Sequence, residues 1–337
     1  MKLSKIVLIP LLFIGAWSHG QNQSIDPMWL STPVASTNEF VVSVEEVLGS
    51  EIPTEIHMVE MLDGVYSPMS IRYPEGEGPF PTIVFAHMNG GFGLRWIRDW
   101  NNYGSGTLER FLDEGYAVVW MRYRAEVDTR FDTPFTEREF QGRQRFSRGP
   151  LEYQDAISIV EYVKGLTQVD SNRIGWFSVS HGSEMLFKVA SEYQGIKAAI
   201  ATEPANSDFI ARLPNPPGDN NEGPDVETMD MNTPEMQAAS VIDLRRRIHT
   251  ALVQSRMSKI TTPIFIVGRD RDHNQATFRL SYELMQELGK NVQWRSYDHG
   301  FHGFAFLERD ASGVYDAGPI QQVFLEDAVS YFEQNLK

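Results

Sequence analysis

The 337-residue chain carries a net charge of −15, is 42% hydrophobic and 22% charged, and contains no cysteine. That size and balance suit one large soluble α/β domain with a substantial core, and the absence of internal repeats removes solenoids and propellers. The acidic surface repels nucleic acid and anionic lipid, and the missing cysteine excludes disulfides and a lipidated cysteine anchor.

Met1–Gly20 reads as a secretory signal: Lys2 and Lys5 form a positive start, Ile6 to Trp17 an apolar core, and Ser18-His-Gly20 a cleavage region before Gln21. The apolar run is too short to span a bilayer comfortably, so the expectation is an exported protein, periplasmic or extracellular, without a membrane anchor. Residues 21–337 are then one domain. Gln21 to Asn38 is polar and proline-containing, whereas Glu39 to Tyr73 alternates in strand fashion (Phe40–Val44, Ile56–Val59, Met69–Tyr73), an antiparallel lead-in to a sheet. Thr82–Ala86 is a fully apolar strand that ends in the glycine-rich turn His87-Met-Asn-Gly-Gly-Phe-Gly93. That turn can face backbone N–H groups toward a ligand. No Gly-Lys-Ser/Thr follows and G-x-G-x-x-G spacing is missing, which excludes the usual nucleotide loops.

Leu108–Glu114 predicts a helix, Tyr116–Met121 a buried strand, and Asp128 to Arg148 a long surface excursion. Leu151–Leu166 has helical spacing, Ile174–Phe177 is a buried strand, Glu184–Tyr193 a helix and Ile196–Ala201 a strand ending at Thr202-Glu-Pro. Residues 205–258 read as an insertion, a partial cap over the site. Its first part holds an acidic cluster (Asp219, Glu222, Asp225, Glu227, Asp230) with no EF-hand spacing, and Pro234 to Met257 is strongly helical. Pro263–Val267 and Val292–Tyr297 are strands around a helix at Ala276–Leu288, and Ile320–Leu336 closes the chain as a helix. This alternation calls for a doubly wound, mostly parallel sheet with an antiparallel N-terminal lead-in. In such sheets ligands gather at the carboxyl ends of the strands.

The chemistry concentrates in Ser178-Val-Ser-His-Gly182, set between the Ile174 strand and the Glu184 helix. Strand, sharp turn and helix form the context of a nucleophile elbow, where the residues two before and two after the nucleophile must be small. A small-x-Ser-x-Gly match is common on its own, and a serine beginning a helix is often only an N-cap. Here an acid (Asp270 or Asp272) and a histidine (His302) follow, each after a later strand. A serine hydroxyl is inert until an imidazole takes its proton and a carboxylate holds that imidazole, and Ser, acid, His is the chain order of α/β-hydrolases.

From about Glu39 to Lys337 the chain resembles the α/β-hydrolase superfamily, particularly its dienelactone hydrolase-like and prolyl-oligopeptidase-like branches. Tyr297-Asp-His-Gly-Phe-His-Gly-Phe304 is similar to the tyrosine-to-His-Gly-Phe segment of those branches and makes His302, not His299, the base. The segment from Ile266 resembles the family's acid loop, but its usual third residue after Gly268 is here Arg271, flanked by two aspartates; counting back from the following helix favours Asp272 over Asp270. The elbow departs as well, with Ser178 where the family usually has glycine.

By resemblance, the oxyanion donors are the His181 N–H and an N–H of Met88 or Asn89 in the turn after the Thr82 strand. A side-chain role for His87 gives way to a buried structural one. Trp96 and Arg98 are candidates to contact substrate, with Trp100 beside them.

The resemblance implies acyl transfer to water with no metal or organic cofactor, on a small-molecule or carbohydrate-linked ester. A prolyl-oligopeptidase-type peptidase is the alternative; those enzymes often carry a propeller before the catalytic domain, and the stretch before Thr82 is short. A non-catalytic binding protein on this scaffold is a third reading. A metallohydrolase using His299-x-x-His302 with Asp272 or His273 is a fourth, and it lacks ligands at known zinc spacing.

Overall fold

The structure, a computed structural model, describes residues 41–87, 93–103, 106–122, 150–213, 233–307 and 314–337, all within the unit Asn38–Lys337. Its frame is a nine-stranded sheet: β1 (Val41–Val47), β2 (Ser50–Glu60), β3 (Tyr66–Arg72), β4 (Phe80–Ala86), β5 (Ala117–Met121), β6 (Val169–Val179), β7 (Ala198–Thr202), β8 (Ile264–Arg269) and β9 (Val292–Tyr297). They lie in the order β1-β2-β3-β5-β4-β6-β7-β8-β9. The first three pair antiparallel, as does β3 with β5. From β5 onward every pairing is parallel.

The helices are α1 (Gly93–Tyr103), α2 (Gly106–Asp113), α3 (Pro150–Lys164), α4 (His181–Glu192), α5 (Pro234–Arg246), α6 (Thr250–Ser258), α7 (Gln275–Glu287) and α8 (Pro319–Leu336). They cover both faces, and strand alternation decides which. Val84 and Ala86 of β4 and Trp176 of β6 join one core with residues of α3 to α7, whereas Ile83, Phe85 and Phe177 join a second with α1, α2 and α8. All seven β4 residues are buried, the mark of a central parallel strand covered on both sides.

Two local features go beyond the sequence reading. The helical stretch Pro234 to Met257 is two helices, α5 and α6. Ile248, buried, forms an antiparallel bridge with Arg212, and His249 Nδ1 caps α6 by accepting the Leu252 N–H at 3.2 Å. A buried contact thus overrides helix continuation for three residues. Helix α1 was not expected from the sequence, because the glycines before it read as loop. The described part of the insertion belongs to the domain's own helical layer: Val241, Leu244, Val253 and Met257 bury in the same core as β7 and β8. The insertion's acidic cluster and the 128–148 excursion lie outside the described residues, as does Met1–Gly20.

Candidate active site

The parallel strands β6, β7 and β8 and the last strand β9 all run toward the same edge, so the segments that follow them meet there. Ser180 follows β6 with φ 52° and ψ −113°, a left-handed conformation that a non-glycine residue holds only when its surroundings fix it. Those surroundings are on β7. Ser180 N–H donates to Thr202 O at 2.9 Å, Thr202 Oγ1 to Ser178 O at 2.8 Å, and Ser183 Oγ to Thr202 O at 2.8 Å. The buried Ser178 hydroxyl, in the position where glycine was expected, reaches Ile200 O at 3.2 Å and Ser183 Oγ at 3.0 Å. Its small side chain is therefore part of the turn's hydrogen bonding. On the other flank, the turn lies against β4: a Cβ built on Gly182 would stand 2.4 Å from Ala86 O. Only glycine fits there. Ser180 itself stays half-exposed.

His181 opens α4, where helix N–H groups favour negative charge. Its buried imidazole hydrogen-bonds Glu152 of α3 through Nε2 and lies 3.5 Å from Glu184 through Nδ1. The ring is thus part of the packing behind the elbow. His87, just after β4, is 1% exposed.

The two candidate acids point in different directions. Asp272 is fully buried, and its Oδ2 accepts from His302 Nδ1 at 2.8 Å. Its Oδ1 accepts the Asn274 N–H at 2.8 Å, which fixes the carboxylate in the turn. Asp270 instead points along the sheet, accepting from the Ser296 hydroxyl on β9. With Nδ1–H held by Asp272, the second ring nitrogen of His302 is the one able to take a proton.

Burial works against ionising Asp272, but the bond from His302, the Asn274 N–H, the imidazolium charge and Arg269 outweigh it, and its pKa falls to about 2. For His302 burial pulls the value down, while the polar contacts and charges of Asp272 and Glu203 lift it to about 9.

Two members of this cluster were not anticipated. Arg269, at the end of β8, donates to Asp272 Oδ2 from Nη2 at 2.8 Å and from Nε at 3.2 Å, and also reaches Glu203 Oε1 from Nε at 3.1 Å. Glu203, at the end of β7, is fully buried. A signal for both was present, a charged residue at the carboxyl end of a buried parallel strand, but nothing in the sequence shows which such residues converge. Among the described residues, Glu203, Asp272 and His302 form the one cluster with metal-ligand chemistry, each offering an atom within 4.8 Å of the others. The Arg269 guanidinium already donates to both carboxylates and supplies the positive charge there. His299, which the metal reading needed, accepts the Phe301 N–H at 3.1 Å and stacks on Phe304 at 5.2 Å.

The segment after His302 is held firmly. Gly303 N–H donates to Glu203 Oε2 at 2.6 Å, and Phe306 stacks on Trp120 at 5.4 Å. Thr107 Oγ1 of α2 donates to Ala305 O and accepts the Leu307 N–H, each at 2.9 Å. The candidate substrate residues fare differently. Arg98 makes a two-pronged ion pair with Glu45 of β1, Nη2 to Oε1 at 2.7 Å and Nε to Oε2 at 2.9 Å, at the far edge of the sheet. It is not brought to the cluster. Trp100 packs on Trp120 and Phe306 at 5.3 and 6.0 Å. Met88, Asn89 and the Trp96 side chain lie outside the described residues.

An elbow after a central parallel strand, an acid after a later strand and a histidine after the last, on a sheet of this order, are the arrangement of one known fold. The chain has the α/β-hydrolase fold. Known proteins agree. The family described as BAAT / Acyl-CoA thioester hydrolase C terminal matches residues 150–302 of this chain, from α3 to His302. Among solved structures, Pyrococcus horikoshii acylaminoacyl peptidase superposes with a TM-score of 0.56 at 17% identity, over 86% of this chain and 43% of its own. Carboxyl esterase 2 from the mycorrhizal fungus Tuber melanosporum gives 0.55 at 16%, over 87% of this chain and 91% of its own. Porphyromonas gingivalis dipeptidyl peptidase 4 gives 0.54 at 14%, over 85% and 36%. The chain thus spans less than half the length of the peptidases it matches. Comparison with curated protein sequences finds no match.

Proposed function

We propose that this α/β-hydrolase is a serine hydrolase of carboxylic esters. Ser180 is the nucleophile, His302 the general base and Asp272 the carboxylate that holds it. The observation that carries this reading is the strained Ser180 turn together with the 2.8 Å Asp272–His302 bond, following strands that end at one edge of the sheet.

His302 Nε2 takes the Ser180 hydroxyl proton as Oγ attacks the carbonyl carbon. The negative charge that moves to the carbonyl oxygen rests on the His181 N–H and on that of Met88 or Asn89. His302 then gives its proton to the departing alkoxide, leaving an acyl-serine. Water, deprotonated by the same nitrogen, attacks this ester, and return of the proton to Ser180 Oγ releases the acid. No metal or organic cofactor enters these steps.

An ester substrate, small or carbohydrate-linked, is favoured because the fungal carboxyl esterase is matched along nearly its whole length. The equal likeness to acylaminoacyl peptidase makes an acylated peptide the second class to assay. The signal-like first twenty residues support export in this reading.

The test is labelling with a fluorophosphonate together with hydrolysis of short acyl esters, for the wild type and Ser180→Ala. Both should vanish together in the variant. A folded wild type that takes no label would overturn the assignment.

A further inference from the structure

We propose that Glu203 is a second carboxylate partner of His302, sharing with Asp272 the holding of the Nδ1–H and the compensation of the imidazolium charge, with Arg269 clamped between the two acids. The inference rests on His302 being the base.

Three independent features of Glu203 support it. Its backbone lies in the left-handed region at φ 48°, fixed by the Glu203 N–H to Val267 O bond at 2.8 Å and followed by Pro204, so a strained main chain aims this side chain. Its carboxylate is completely out of solvent, where a charge is retained only if paired. One oxygen faces the base and the other holds the backbone beside it. Oε1 lies 3.5 Å from His302 Nδ1, and Oε2 accepts the N–H of Gly303, the next residue along the chain, at 2.6 Å.

A purely structural partner for Arg269 would not need either of the last two contacts. Asp272 already satisfies the guanidinium at 2.8 Å, and Arg269 Nη1 has His299 O at 3.2 Å.

The charges around His302 come from Asp272 and Arg269 on the β8–α7 side and Glu203 from β7. His273 adds a ring 6.3 Å away, with its own Nδ1 3.4 Å from Asp272 Oδ1. With one arginine and two carboxylates, this set carries one net negative charge while His302 is neutral. It balances when His302 is protonated, the form that arises as Ser180 attacks. The two acceptors at 2.8 and 3.5 Å also give the imidazole a second place for its Nδ1–H if the ring turns.

The experiment is a histidine NMR titration of the wild type, Glu203→Gln, Asp272→Asn and the double variant, with the His302 resonance assigned from His302→Gln. The expected result is a fall of about one pH unit or more in the His302 pKa of Glu203→Gln. The acid limb of kcat/KM for ester hydrolysis should move by the same amount. In Asp272→Asn, His302 should stay above its ordinary value, and only the double variant should bring it down, with activity falling at least about tenfold further.

A structural role for Glu203 would lower the melting temperature and leave the titration unmoved. An unchanged His302 pKa in folded Glu203→Gln overturns the proposal. If that variant does not fold, Asp272→Asn alone decides: a His302 pKa at or below the ordinary value overturns it. The titration reports the coupling whether or not Ser180 takes the fluorophosphonate, so failure of the hydrolase reading and failure of this inference are separate outcomes.

Discussion

Gly182→Ala puts the contact between the Ser180 turn and β4 to the test. The added Cβ would lie 2.4 Å from Ala86 O, 2.7 Å from the Ala86 carbonyl carbon and 2.7 Å from His87 O. All three are backbone atoms at the end of a central strand, so no side-chain rotation relieves the overlap. Restoring an ordinary separation of about 3.5 Å needs a movement of about 1 Å. Overpacking of this kind costs about 1–3 kcal/mol. A displacement of that size at a nucleophile can cost about 100-fold in rate.

The variant should therefore melt a few degrees lower while keeping its far-ultraviolet dichroism. Its fluorophosphonate labelling rate and kcat/KM should both fall about 100-fold. Gly300→Ala is the matched control, since a Cβ there meets nothing within 4 Å although it lies two residues from His302. Gly182→Ala with wild-type melting and labelling would show that the turn does not depend on this contact.

Other expectations follow from the same cluster. With His302 lifted to about 9, the acid limb of kcat/KM should lie on the alkaline side of neutrality; a limb at or below 6.5 would contradict the pairing. Stability should follow the sign of each shift. The contribution of His302, whose pKa is raised on folding, is complete below about 6.5 and lost as pH rises through about 9. That of Asp272, whose pKa is lowered, is complete above 3.8 and lost as pH falls through about 2. Melting temperature across pH measures both. Asp272→Asn should lower kcat by at least about 100-fold while Asp270→Asn changes it less than about threefold; steady-state kinetics on a short ester separates them, and equal losses would reverse the assignment. Arg269→Met leaves two buried carboxylates without their cation and should destabilise by about 3–5 kcal/mol in denaturant unfolding.

Much of this was legible in the sequence wherever the signal is local. Apolar runs marked β4 through β8 because strands covered on both faces tolerate little else. The Ser180 turn was marked by its flanking small residues. The choice between Asp270 and Asp272 was only leaning, because two aspartates bracket Arg271 in one turn and the pairing with His302 spans thirty residues of chain. Glu203 and Arg269 were illegible for a related reason. Each is an ordinary strand-end residue until β7 and β8 are known to be neighbours, and that adjacency is set by the sheet and not by any short motif. The break in the 234–257 helix depended likewise on a distant bridge to Arg212.

The tie between Thr107 and the segment after His302 has a genetic consequence. Thr107 stands in the first third of the chain, on a helix that contributes no group to the chemistry, yet one hydroxyl holds both Ala305 and Leu307. A lesion such as Thr107→Val would keep the shape of the side chain and release the base from its mooring. In a screen for lost turnover it would therefore sort with Ser180 and His302, and not with ordinary folding defects. Suppressors should then arise in 304–307, where new packing can re-anchor the same stretch.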